Sequence, residues 1–194
     1  MKSPFKKSWI IIHHSLVSYD KNSDQFDAIA RYHKSKGWGS IGYQYVLSKN
    51  GTIKIGRIDN EVGAHCKEKM MNYRSIGICL SGNFDEEHPT EEQILQLKNL
   101  VARLRKEYNI PEDHVVGHRY FANYKSCPGV LFTDSMIKNI AQNKNNDQMA
   151  STWAFDAWKE MVDNRIMTKD PRKPITKEEL AVVIQRLKSK KYLK

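Results

Sequence analysis

An uninterrupted run of β-branched residues near the start of the chain limits the possible folds most strongly. Residues 8–13 read Ser-Trp-Ile-Ile-Ile-His, and a short apolar run without polar alternation is typical of a strand buried on both faces. Strands of this kind occur in parallel sheets that helices cover on both sides. The run therefore predicts a central strand, with His13 at its carboxyl end.

Helical patterns alternate with further strand-like segments. Phe26, Ile29, Ala30 and His33 recur at helical spacing behind Ser23, which predicts an amphipathic helix with Ser23 as its N-cap. The other predicted elements are strands at 43–47 and 52–55 joined by a tight Asn50-Gly51 turn, a strand at 75–81, a helix behind a capping box at 90–93, a strand at 115–116 and a helix at 133–141. This alternation predicts an α/β fold, a mixed central β-sheet flanked by helices.

The charge of the chain favours an anionic partner. Its 32 Lys and Arg against 22 Asp and Glu give a net charge of +10 at pH 7, which suits nucleic acid and anionic wall polymers equally. The lysines lack aromatic interleaving and zinc-finger spacing, so we expect no specific nucleic-acid partner. No apolar run approaches the roughly 18 residues that span a bilayer, so we expect no membrane span.

Cysteine usage and the first residues bear on the compartment. The three cysteines, Cys66, Cys79 and Cys127, are odd in number and scattered, which favours a reducing compartment over a disulfide framework. The basic opening is followed by an apolar run that stops at Ile12, with no small-residue cleavage site after it. We therefore expect no signal peptide.

Two histidines at strand ends and one cysteine are candidate metal ligands. His13 and His118 each end a predicted strand, and Cys127 follows His118 by nine residues. Three such ligands leave the fourth tetrahedral position of Zn²⁺ open, as in catalytic sites. Dispersed ligands have no fixed spacing, so two alternatives stay open: ligation by other histidines, and a Cys127 nucleophile with His118 as its base. The other histidines are His14, His33, His65, His88 and His114.

A resemblance to one family rests on six short motifs that occur in the family's order. They are Ile11-Ile12-His13-His14-Ser15, Gly42-Tyr43-Gln44-Tyr45, Gly63-Ala64-His65, Ser75-Ile76-Gly77-Ile78-Cys79, Gly117-His118-Arg119 and Lys125-Ser126-Cys127-Pro128. In these motifs the chain resembles the zinc-dependent N-acetylmuramoyl-L-alanine amidases, a family that includes phage amidases and animal peptidoglycan recognition proteins. The resemblance covers residues 8 to about 140.

The resemblance implies a role for each matching residue. The implied zinc ligands are His13, His118 and Cys127, the catalytic side chains Tyr43 and Lys125, and the substrate contacts His65, Asn72 and Arg74. His14 is expected to be structural, because strand alternation points it away from His13. Recognition proteins that only bind the wall commonly lack the cysteine ligand, so Cys127 favours hydrolysis over the alternative, a non-catalytic peptidoglycan-binding protein.

The implied activity is hydrolysis of the amide bond between N-acetylmuramic acid and L-alanine by zinc-activated water. Bacterial peptidoglycan is then the expected substrate. With no signal peptide expected, the resemblance suggests a phage or prophage endolysin that stays in the host cytoplasm before its release to the cell wall.

A polar stretch divides the sequence into two predicted domains. The catalytic domain is expected at 1–142, a linker at 143–150 and a small helical C-terminal module at 151–194. The module resembles a single S-layer-homology-type repeat, and its eleven Lys and Arg against six Asp and Glu suit anionic wall polymers. A plain helical cap or a homodimer contact explains its apolar stripe equally well.

Overall fold

The sheet lies at the centre of the described residues. The computed structural model describes residues 1–18 and 25–143. Its strands are β1 (Trp9–His14), β2 (Tyr45–Leu47), β3 (Ile53–Ile55), β4 (Ser75–Leu80) and β5 (Val115–Gly117). They lie in the order β3-β2-β4-β1-β5, with β2 and β3 antiparallel and the other neighbours parallel. The predicted mixed sheet is therefore confirmed.

Helices cover both faces of this sheet. They are α1 (Phe26–Ser35), α2 (Met71–Arg74), α3 (Glu91–Tyr108) and α4 (Asp134–Ala141), with short 3-10 turns at Glu68–Met70, Glu112–His114 and His118–Tyr120. α3 begins at the predicted capping box: the Thr90 hydroxyl accepts the Gln93 N–H at 3.1 Å, and the Gln93 side chain accepts the Thr90 N–H at 3.1 Å. This exchange satisfies two N–H groups that a helix start leaves unpaired.

β1 is buried on both faces, as its sequence predicts. Its three isoleucines have no solvent-exposed surface. Ile10 and Ile12 pack in the main core with Leu97 of α3, whereas Ile11 packs with Met71 on the opposite face. Because side chains alternate along a strand, His13 shares the face of Ile11.

One local prediction is corrected, and another falls on a residue outside the described ones. The β2–β3 connection is not a two-residue turn. Only Gly51 of the Asn50-Gly51 pair has a positive φ, 81°. The loop instead holds three residues between Ser48 and Thr52, whose backbone N–H and carbonyl pair at 2.9 Å, and such a loop needs only one left-handed position. α1 is flanked by Gln25 without a side-chain cap, and the predicted cap Ser23 lies outside the described residues.

The first compact unit spans residues 1–144. The predicted linker, apart from Asn143, and the helical module at 151–194 lie outside the described residues, so this division stays a prediction. Within the described part of the chain, no helix is both long and apolar enough to cross a membrane.

Candidate metal centre

The three predicted ligands meet at the carboxyl end of the parallel strands. β1 and β5 are neighbours with Ile12 opposite Gly117, so His13 and His118 leave the sheet side by side, their ring centroids 4.5 Å apart. The loop after β5 brings Cys127 Sγ to 3.7 Å from His13 Nδ1. One ligand atom from each residue lies within 4.8 Å of the others.

The donor set fits a zinc ion in spacing and in protonation. At ordinary Zn–N and Zn–S bond lengths, tetrahedral neighbours lie about 3.5 Å apart, close to the Cys127–His13 separation. Burial, and then the neighbouring histidines His65 and His118, hold the pKa of His13 well below its usual range. Burial and then the charge of Lys125 lower the pKa of His118 to about 4. Both imidazoles are therefore neutral at neutral pH, the form that binds a metal.

The thiol of Cys127 suits a metal ligand better than a nucleophile. Burial raises its pKa to about 11, whereas a reactive cysteine needs a lowered pKa. A bound cation would displace the thiol proton. The cysteine-nucleophile alternative is thereby disfavoured.

Three of the rival histidines have other partners. His14 Nδ1 accepts the Phe84 N–H at 3.2 Å, and His33 Nδ1 accepts the Gly42 N–H at 2.9 Å. His114 lies 2.8 Å from the Ser8 carbonyl and stacks on a tryptophan. Within residues 1–18 and 25–143, none of these histidines belongs to a group of side chains that could hold a metal.

His65 contacts the buried side of His13. Its Nδ1 lies 3.0 Å from His13 Nε2, and a Cβ atom at Gly77 of β4 would lie only 2.6 Å from the His65 ring. Glycine at that position therefore leaves the space that the imidazole occupies. With His13 Nδ1 facing Cys127, the hydrogen-bond network assigns the proton of His13 to Nε2, which donates to His65.

Tyr43 and Lys125 flank the three ligands. The Tyr43 ring centroid lies 5.1 Å from that of His13, and burial, then Cys79 and Cys127, raises the pKa of its hydroxyl well above the usual range. Lys125 is exposed two residues before Cys127. Its charge contributes to the lowered pKa of His13 and of His118.

Asn72 and Arg74, the other two predicted substrate contacts, lie in different surroundings. The Asn72 side-chain oxygen accepts the backbone N–H groups of His65 at 2.7 Å and Cys66 at 2.8 Å, so it braces the loop that carries His65. Arg74 is exposed at the end of α2. The substrate-contact roles of His65, Asn72 and Arg74 stay predictions.

Two residues near the site were assigned no role from the sequence. Arg119 bonds the loop that carries Cys127: its backbone N–H donates to the Cys127 carbonyl at 2.7 Å. Its guanidinium donates to the carbonyls of Ser126, Gly129 and Phe132 and to Asp134. The one signal was its place directly after His118. Glu68 lies beside His118 in the fold. In the sequence it lies between two lysines, and no motif marks it as a functional residue.

Comparisons with known proteins agree with this geometry. Residues 4–130 match the sequence profile of the family described as N-acetylmuramoyl-L-alanine amidase. The endolysin of Escherichia phage T7 is 32% identical over 105 residues, 52% of this chain and 66% of that protein. Peptidoglycan-recognition protein SC2 of Drosophila melanogaster is 32% identical over 128 residues, 63% of this chain and 68% of the relative. N-acetylmuramoyl-L-alanine amidase LysC from Clostridium intestinale URNW superposes with a TM-score of 0.61 and 36% identity, over 69% of this chain and 84% of that one.

The fold and the site define a mixed-sheet protein with a potential metal centre of two histidines and a cysteine. The chain belongs to the N-acetylmuramoyl-L-alanine amidase family, which confirms the resemblance drawn from the six motifs. The match covers 66% of the length of the phage endolysin.

Proposed function

We propose that this protein is a zinc-dependent N-acetylmuramoyl-L-alanine amidase that cleaves bacterial peptidoglycan in the manner of a phage endolysin. The observation that carries the proposal is the convergence of His13, His118 and Cys127 at one end of the sheet. Membership of the amidase family supports the choice of bond, the amide between N-acetylmuramic acid and L-alanine.

His13, His118 and Cys127 would hold the zinc ion, and they leave one tetrahedral position for water or substrate. When bound, zinc polarises a carbonyl and makes water acidic enough to ionise near neutral pH. The two imidazoles can bind zinc without first losing a proton, because their lowered pKa values keep them neutral.

Tyr43 and Lys125 supply the remaining chemistry. The raised pKa of Tyr43 keeps its hydroxyl protonated, so it serves as a hydrogen-bond donor to the carbonyl oxygen as negative charge develops there. The exposed ammonium of Lys125 offers a positive charge to the same oxygen. Donors fixed before the reaction stabilise that charge without rearranging.

The runner-up is a protein that binds peptidoglycan without cutting it. Relatives named peptidoglycan-recognition proteins make this a real alternative. Cys127 weighs against it, because a protein that only recognises the wall has no need of a half-buried thiol beside two neutral imidazoles.

The proposal extends to the substrate contacts, the C-terminal module and the place where the protein is stored. His65, Asn72 and Arg74 would contact the peptide stem, and the module at 151–194 would bind anionic wall polymers or a second copy of the chain. By likeness to the phage endolysins, the protein would be stored in the host cytoplasm and reach the wall on release.

Digestion of purified peptidoglycan tests the proposal. Mass spectrometry should detect free stem peptides with a new L-alanine amino terminus and intact glycan strands. Cys127→Ser, which replaces one ligand by a poorer one, should release almost none. Binding to the wall without new amino termini would support the runner-up instead.

A further inference from the structure

Glu68 approaches His118 from the side of the ring that carries Nε2. Its carboxylate oxygen Oε2 lies 3.9 Å from His118 Nε2. The two residues after Glu68 have left-handed backbones, with φ of 46° at Lys69 and 60° at Met70. Non-glycine residues adopt this conformation only where the surroundings enforce it. The backbone is therefore bent at the position where the carboxylate meets the imidazole.

The carboxylate is held by a second contact. The Tyr124 hydroxyl donates to Glu68 Oε1 at 2.7 Å, which leaves Oε2 turned toward His118. An ionised carboxylate accepts hydrogen bonds only, so Oε2 can serve as an acceptor for a ring N–H.

His118 Nε2 is buried and has no hydrogen-bond partner among the described residues. The His118 side chain is only 6% exposed, so water does not readily satisfy that nitrogen. A buried polar atom without a partner is unfavourable, and the carboxylate of Glu68 lies 3.9 Å from it.

We propose that Glu68, held by Tyr124, is a positioning residue that accepts the Nε2 proton of His118 and so presents its Nδ1 to the metal. This inference rests on the proposed zinc site. A metal-bound histidine commonly donates its other N–H to a carboxylate, which fixes the ring and makes the ligating nitrogen more basic. The 3.9 Å separation closes to a hydrogen bond once Nε2 carries the proton.

A second cation site that includes Cys66 would be a competing use of the same side chains. Its Sγ lies 3.5 Å from Glu68 Oε2, and Cys66, Glu68 and His118 together could hold a cation. Burial, and then Glu68, raises the pKa of the Cys66 thiol to about 12. A cation at Nε2 would also have to displace the proton that His118 keeps when its other nitrogen binds zinc. The positioning role is therefore favoured.

Zinc affinity of the full chain, measured by competition with a chromophoric chelator, tests the proposal. Glu68→Gln keeps the shape of the side chain but removes its charge and should weaken zinc binding by about 10- to 100-fold. Tyr124→Phe should weaken it by a smaller factor, because the carboxylate stays but loses its restraint. Matched controls are Glu107→Gln in the exposed Arg103 pair and Tyr120→Phe, which should bind zinc as the parent does.

A second readout reports on the ring itself. In ¹⁵N-labelled zinc-loaded protein, the Nε2 proton of His118 should resonate far downfield, and this signal should shift upfield in Glu68→Gln. An unchanged resonance and unchanged affinity in that variant would overturn the inference while leaving the zinc site intact.

Two further outcomes would also overturn it and are distinguishable from each other. A parent protein that binds no zinc would remove the proposed function together with the inference. A second equivalent of zinc in the parent, absent from both Glu68→Gln and Cys66→Ser, would make Glu68 a ligand and not a positioning residue.

Discussion

The Nε2 atom of His13 lies 3.0 Å from Nδ1 of His65, which joins a candidate metal ligand to a residue on a separate loop. Burial, and then Lys7, lowers the pKa of His65 to about 3, so its ring is neutral and its Nδ1 can accept the proton that His13 carries on Nε2. This contact fixes which nitrogen of His13 faces Cys127. Partners of this kind commonly set metal affinity as strongly as they set ligand orientation.

Replacing His65 should therefore weaken zinc binding. We expect His65→Ala to lower zinc affinity by about 10- to 100-fold. His65→Asn should recover part of the loss, because the Asn side-chain oxygen occupies the position of Nδ1 and accepts the same proton. Chelator competition measures both. A role in substrate contact alone would leave zinc affinity unchanged and raise only KM.

Arg119 should hold Cys127 in place through its planar, five-donor side chain. Arg119→Lys retains the charge but cannot bond several carbonyls at once. We expect weaker zinc binding and faster zinc loss to a chelator. Arg103→Lys, on the exposed side of α3, is the control. Equal zinc release from parent and Arg119→Lys would show that the loop keeps its shape without the guanidinium.

Tyr43→Phe and Lys125→Ala should cripple turnover while leaving the fold intact. Loss of one donor to the developing negative charge typically lowers the rate by about 10²- to 10³-fold. Zinc content and thermal stability should stay close to those of the parent, since neither side chain is a ligand. Release of stem peptides at the parental rate by either variant would remove that residue from the reaction.

The metal-free protein should lose stability in mild acid. Burial, then Arg57, lowers the pKa of His33 from 6.5 to about 4, so between these values the unfolded chain binds more protons than the folded one. The free energy of unfolding then falls as the pH falls through that window. His13, His65 and His118 shift in the same direction.

His33→Asn separates this contribution from the site. The Asn oxygen can accept the Gly42 N–H that His33 Nδ1 accepts, but it does not titrate. Urea unfolding of chelator-treated protein at several pH values should show a shallower pH dependence for this variant. If the free energy of unfolding depended on pH equally in the parent and the variant, the lowered pKa assigned to His33 would be contradicted.

Strong local patterns made most of the fold predictable. The apolar run of β1, the Thr90–Gln93 capping box and the period of α3 each specify an element through short-range chemistry. The position of His13 and His118 at strand ends likewise followed from the strands themselves. Cys127 was one candidate among several until the family resemblance singled it out, because a ligand in a loop has no periodic signal.

Contacts between distant loops could not be predicted from the sequence. Glu68, which approaches His118, is followed by two left-handed residues, Lys69 and Met70. They are neither glycine nor asparagine and so give no turn signal. The hydrogen bond between His65 and His13 requires the space that Gly77 leaves on a different strand. Such contacts arise only once the strand order is set.

His13, His118 and Cys127 are proposed to bind one zinc ion. Anomalous diffraction at the zinc absorption edge, from crystals of protein purified without chelator, measures this directly. We predict one strong peak, about 2.0–2.1 Å from a nitrogen of each histidine and about 2.3 Å from the cysteine sulfur. Absence of a peak between these three atoms in protein that still releases stem peptides would contradict zinc binding by these residues.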